Sequence, residues 1–79
     1  MKVEVQLFGV QSSLFKEVPF GRPLSIELPE GSTVKDLMEK LDVSKEQSYS
    51  VVINDLYSDL NTLLRANDQL AIFPAMSGG

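Results

Sequence analysis

The sequence closes on Gly78-Gly79, after a short spacer of Pro74, Ala75, Met76 and Ser77 that follows an apolar, strand-like run from Gln69 to Phe73. The group this arrangement offers for chemistry is the α-carboxylate of Gly79, supported by Gly78. Glycine lacks a Cβ, so such a tail lies flat in a channel too narrow for other residues. Six extended residues reach at most about 20 Å, enough to enter a deep active site on another protein. The α-carboxyl group has a reference pKa of about 3.3–3.7, so it is ionised and a poor electrophile at neutral pH. It must be activated before it accepts sulfur or forms an amide. No Gly-x-x-x-x-Gly-Lys phosphate loop is present, so activation by adenylation falls to a separate enzyme that consumes ATP and Mg.

Composition removes most competing chemistries. The chain has 79 residues, which sets the expectation of one small domain. It has no Cys and no His, hence no disulfide, no thiolate metal site, no cysteine nucleophile and no Ser-His-Asp catalysis. The net charge of −4 is the wrong sign for a nucleic-acid backbone. No apolar run approaches the ~18–20 residues of a membrane span. The expectation is a cytoplasmic protein that is monomeric when free, binds no cofactor, metal, membrane or nucleic acid, and is not an enzyme on its own. The acidic residues, among them Glu30, Glu46 and Asp59, are scattered and read as solvated surface.

The elements that must carry the tail follow from periodicity. Val3, Val5 and Leu7 alternate with Glu4, Gln6 and Phe8, the pattern of a half-buried strand. Leu24, Ile26 and Leu28 form a second alternation. Gly9 to Pro23 is a long connection in which Leu14 and Phe15 are packing candidates. Thr33 followed by Asp36 is a capping pattern, and Val34, Leu37, Met38 and Leu41 form one apolar helical stripe that ends near Asp42. A third strand is expected over Tyr49–Ile53, a turn at Asn54-Asp55, and a short strand over Leu56–Ser58. Leu60, Leu63 and Leu64 suggest a helical turn on the core. Ala66-Asn67-Asp68 leads into the last strand. The expected core comprises Val3, Val5, Leu7, Leu24, Ile26, Leu28, Val34, Leu37, Leu41, Val51, Ile53, Leu70 and Ile72.

One helix covers one sheet face, so this order implies an α+β domain over residues 1–74 with a flexible tail over 75–79. The fold expected is the β-grasp, or ubiquitin-like, arrangement: a mixed sheet of about four to five strands packed on one main helix. The first and last strands, the most apolar, are expected side by side in the middle, joined by a parallel crossover. Phe8 and Phe73 each fall opposite the core-facing residues of their own strand. As neighbours on the open face they read as a docking patch beside the tail.

The sequence resembles the MoaD/ThiS family of ubiquitin-like sulfur carriers. The resemblance rests on Val52-Ile53-Asn54, the Asn67-Asp68 turn, and the closing run from Gln69 through Phe73-Pro74 to Gly78-Gly79. It also rests on Leu7-Phe8-Gly9 and on Gly31-Ser32-Thr33-Val34 with Leu37. The family pattern has Gly where this chain has Asn67 and a second Pro where it has Ala75. The long first connection and the Phe-Pro ending are similar to the MoaD branch, the small subunit of molybdopterin synthase.

The resemblance implies a cycle. A MoeB/ThiF-like enzyme adenylates Gly79, a sulfur donor system converts it to a thiocarboxylate, and the tail enters a MoaE-like large subunit to build the molybdopterin dithiolene of the molybdenum or tungsten cofactor. It further implies partner-binding roles for Phe8, Tyr57, Phe73 and Pro74, with Ala75, Met76 and Ser77 in the inserted tail. Three other readings stand beside this one. The chain could carry sulfur for thiamine, cysteine or tRNA thiolation, it could modify proteins through an isopeptide bond at Gly79, or it could be an interaction domain without terminal chemistry.

Overall fold

A computed structural model describes residues 1–15 and 17–75. Met76, Ser77, Gly78 and Gly79 lie outside the described residues. The elements in chain order are β1 (Lys2–Leu7), β2 (Leu24–Glu27), α1 (Val34–Leu41), β3 (Tyr49–Ile53), β4 (Leu56–Ser58) and β5 (Gln69–Pro74). The sheet order is β2-β1-β5-β3-β4. β1 and β5 pair in parallel at its centre, with Val5 opposite Leu70 and Leu7 opposite Ile72, and every other pairing is antiparallel. This is the β-grasp arrangement that the alternation of elements implied.

Val3, Val5 and Leu7 on β1, Leu70 and Ile72 on β5, and Val51 and Ile53 on β3 fill one sheet face. Val34, Leu37, Met38 and Leu41 of α1 cover it. The helix begins where its backbone donors find partners. Thr33 Oγ1 accepts from Asp36 N–H, and Asp36 Oδ2 accepts from Thr33 N–H at 2.9 Å. The next two orphan donors are met from outside the helix: Val34 N–H donates to Thr62 O and Lys35 N–H to Leu60 O. At the other end Asp42 turns left-handed, with φ 54, and its N–H returns to the carbonyls of Met38 and Glu39.

That capping role corrects the reading of residues 60–64. They form no helix: Leu60 and Asn61 lie in a single turn closed by Thr62 N–H donating to Asp59 O, and the chain then passes the start of α1 with an isolated bridge between Thr33 and Leu63. Leu64 alone is buried, while Leu60 and Leu63 are 50% and 63% exposed. Leu24 is half-buried because β2 is an edge strand.

The long connection is anchored by residues that the alternation did not single out. Val10 is buried, and buried Ser12 donates its hydroxyl to the Leu41 carbonyl at 2.5 Å, closing the helix C-terminus. Ser12 Oγ also accepts from Leu14 N–H, a local turn that leaves Leu14 exposed while Phe15 packs against the core. Val43 joins the core from the connector after α1.

Leu37 is fully buried against the sheet. Leu37→Ala is expected to cost about 2–5 kcal/mol, whereas Leu63→Ala is expected to change stability by less than about 0.5 kcal/mol. Chemical denaturation of the two variants checks both values.

Candidate functional site: the aromatic face at the root of the tail

The open sheet face is set by register. Gln6, Ala71, Val52 and Tyr57 lie in one row across β1, β5, β3 and β4. One step further toward the tail, Phe73 lies opposite Ser50 on β3. Phe8 follows the last residue of β1 in a bend, and its N–H donates to Ile72 O at 3.0 Å, so its position is fixed beside β5.

The rings of Phe8 and Phe73 stack, with centroids 4.8 Å apart and planes 8° from parallel. Phe8 is half-buried and Phe73 is 36% exposed. Stacking shields one face of each ring. Tyr57 lies on the same face and is 83% exposed. It stands two strands from Phe73 and in the neighbouring row, so it broadens the surface without touching the stack.

The tail departs beside this pair. Pro74 is the last residue of β5, where it sits opposite Tyr49. Proline in a central strand is tolerated at the end of the ladder, where its missing N–H leaves no partner unmet. Both Pro74 and Ala75 are half-buried, and Ala75 N–H donates to Ser48 O at 2.9 Å. Ala75 is thereby tied to the connector that precedes β3. Pro74 and Ala75 thus define where the chain leaves the sheet, while the expected site residues Met76, Ser77, Gly78 and Gly79 lie outside the described residues.

Three residues that the sequence reading did not assign to this site organise it. Phe20, from the long connection, meets Phe8 edge-on, with centroids 5.4 Å apart and planes 88° from parallel. Gly21 follows it with φ +72, and its N–H donates to Leu7 O at 2.9 Å. Gln6 Nε2 donates to Gly21 O at 2.8 Å. The signal available in the sequence was an aromatic residue before a glycine, flanked by Pro19 and Pro23; the fold was needed to bring it to Phe8.

The polar motif residues serve the fold. Asn54 and Asp55 both have positive φ and form the tight turn between β3 and β4. Asn54 Oδ1 accepts from Gln69 N–H, and Asn54 Nδ2 donates to Asp68 Oδ1, each at 3.0 Å. Asn67 is left-handed at φ 71, the conformation glycine takes most readily. These side chains lock the entry of β5 into the sheet. Among the described residues no group of three or more His, Cys, Asp or Glu is placed to hold a metal ion. Among the described residues no helix is long and apolar enough to cross a membrane.

The model of the ThiS family matches residues 5–79. The chain belongs to the ThiS family. This agrees with the resemblance carried by its motifs, and the ThiS-family chain has the ubiquitin-like fold that the strand order displays. Small archaeal modifier protein 1 of Haloferax volcanii is similar in fold, with 22% identity, TM-score 0.66, and coverage of 95% of this chain and 98% of that one. A Pyrococcus furiosus protein assigned as molybdopterin converting factor subunit 1 is similar in fold at 23% identity and TM-score 0.68, covering 96% and 99%. The complex of subunits 1 and 2 of the molybdopterin-converting factor from Helicobacter pylori contains a chain of 27% identity, TM-score 0.59, with full coverage of both chains. A comparison with curated proteins finds no match.

The ring stack predicts an energetic coupling. A double-mutant cycle with Phe8→Leu and Phe73→Leu, measured by denaturation, is expected to give about 0.5–1.5 kcal/mol of interaction beyond the two single effects. A coupling near zero is incompatible with the stacked geometry.

Proposed function

We propose that this ThiS-family chain is a sulfur carrier for molybdopterin synthesis, acting as the small subunit of a molybdopterin synthase. The observation that carries the reading is the ThiS-family match through residue 79, which takes in the Gly78-Gly79 ending. Similarity to a chain in the Helicobacter pylori complex of subunits 1 and 2 supports the choice of a large-subunit partner. The stacked Phe8–Phe73 pair at the root of the tail supports a docked state in which a partner holds the β-grasp domain while the tail enters its active site.

In this reading the Gly79 carboxylate attacks the α-phosphorus of ATP on an activating enzyme and displaces pyrophosphate. The acyl-adenylate carbon then accepts a sulfide-level sulfur nucleophile from a donor system, the carbon–oxygen bond to AMP breaks, AMP leaves, and the thiocarboxylate remains. Phe8, Tyr57 and Phe73 form the docking surface, Pro74 and Ala75 aim the tail, and Met76, Ser77 and Gly78 occupy the partner's channel. The chemistry up to the adenylate is shared with sulfur carriers of other pathways and with protein modifiers. The likeness to the Haloferax volcanii modifier is one of fold, so it does not favour that alternative.

Deleting Gly79, or adding a residue after it, is expected to abolish adenylation by the cognate activating enzyme and to leave the thermal midpoint nearly unchanged. Pyrophosphate release and thermal melts check the two parts. Adenylation that survives a blocked C-terminus would sink the carrier and modifier readings together. The intact mass of protein from its native host separates those two: replacement of one oxygen by sulfur marks the carrier, and a ladder of larger conjugates marks the modifier.

A further inference from the structure

Phe20 is 73% exposed, although the backbone around it is tied down. Gly21 N–H is bonded to the last carbonyl of β1, and Gly21 O is bonded to the side chain of Gln6. An aromatic ring held by one edge contact, with most of its area in water, stands on the same surface as the Phe8–Phe73 stack. The three rings form a continuous strip: Phe20 against the edge of Phe8, Phe8 against the face of Phe73, and Phe73 beside Pro74 where the tail leaves.

Within the strip the rings differ in what they offer. Phe8 and Phe73 cover each other, so their free area is limited, whereas most of Phe20 remains to be covered. Truncating an aromatic that becomes buried in an interface typically costs tenfold or more in affinity. Gly21 is what allows the ring to stand there. A Cβ on Gly21 would come 2.9 Å from Cε1 of Phe8, and the backbone at φ +72 is strained for residues with side chains. Any other residue must displace the Phe8 ring or shift the backbone at position 21.

We propose that Phe20 is a third anchor of the docking surface, covered by the large subunit when the tail inserts, and that Gly21 is the residue that positions it. This rests on the small-subunit reading and extends its surface. The occupant follows from continuity, because a partner seated on Phe8 and Phe73 next to the tail must also lie over the ring that touches Phe8. A second copy of this chain fits less well, since each copy carries a net charge of −4 and two like-charged copies repel.

The test is titration calorimetry of the full-length chain against the large subunit of the source organism, with thermal melts of every variant. Phe20→Ala is expected to weaken binding about tenfold or more with the melting temperature nearly unchanged, and Phe20→Tyr is expected to retain most of the affinity. Gly21→Ala is expected to weaken binding and also to shift the NMR signals of the Phe73 ring, which Phe20→Ala leaves largely in place. The double variant Phe8→Ala, Phe73→Ala separates the layers of the argument. If it loses binding while Phe20→Ala binds like the parent, the third anchor is overturned and the small-subunit reading stands. If all these variants bind like the parent, the docking surface itself is overturned. Self-association that Phe20→Ala removes, with large-subunit affinity intact, would assign the ring to a second copy and overturn the proposal.

Discussion

The parallel pairing of β1 with β5 is the constraint on which the rest of this structure depends. It joins the two ends of the domain: Val5 lies opposite Leu70 and Leu7 opposite Ile72, all buried. A parallel pair needs a crossover between its strands, and everything from β2 to β4 lies within it. The α1 helix covers the apolar face that this pair presents. Because Leu7 is in register with Ile72, the residues that follow them, Phe8 and Phe73, emerge together at one end of the sheet. The aromatic face and the departure point of the tail are consequences of one register.

The helix is held from both sides by segments that look like loops. The carbonyls of Leu60 and Thr62 accept from the first turn of α1, and Ser12 donates to its last carbonyl. A helix of eight residues is too short to be stable in isolation. These outside partners satisfy groups that would otherwise be orphaned at its termini. The same long connection that closes the helix with Ser12 carries Phe20 and Gly21 to the opposite side of β1. It thereby links the covered face of the sheet to the open one.

In the proposed reading this division suits a chain that presents its own terminus to other proteins. The core lies between the helix and one sheet face, while the open face carries Phe8, Phe20, Phe73 and Tyr57 with little of the core beneath them at risk. In the proposed reading, partner recognition and fold stability draw on different faces of the same strands. Asn54, Asn67 and Asp68, which belong to the recognisable motif, act on the fold side by locking β5 into the sheet at the end remote from the tail.

Much of this was legible in the residues themselves. Period-two alternation determined which faces of β1, β3 and β5 are buried, because a strand turns successive side chains to opposite sides. Thr33 and Asp36 marked the helix start, and Asn54-Asp55 marked a turn, because capping and left-handed turns are local events decided by nearby atoms. The same phase placed Phe8 and Phe73 opposite the core. What the residues did not determine was everything that depends on contact between distant segments. Leu60, Leu63 and Leu64 have helical spacing, yet the segment makes one turn and then bridges Thr33, with the Leu60 and Thr62 carbonyls accepting from the first turn of α1. Val10 and Ser12 are buried because a connection with no periodicity of its own docks on the helix. Phe20 reaches Phe8 across a bend whose course is set by hydrogen bonds to Leu7 and Gln6. The sequence by itself determined the elements and their faces, since these follow from local backbone geometry. Only the tertiary structure decided which loops close the helix and which rings meet, since those depend on the register and docking of segments far apart in the chain.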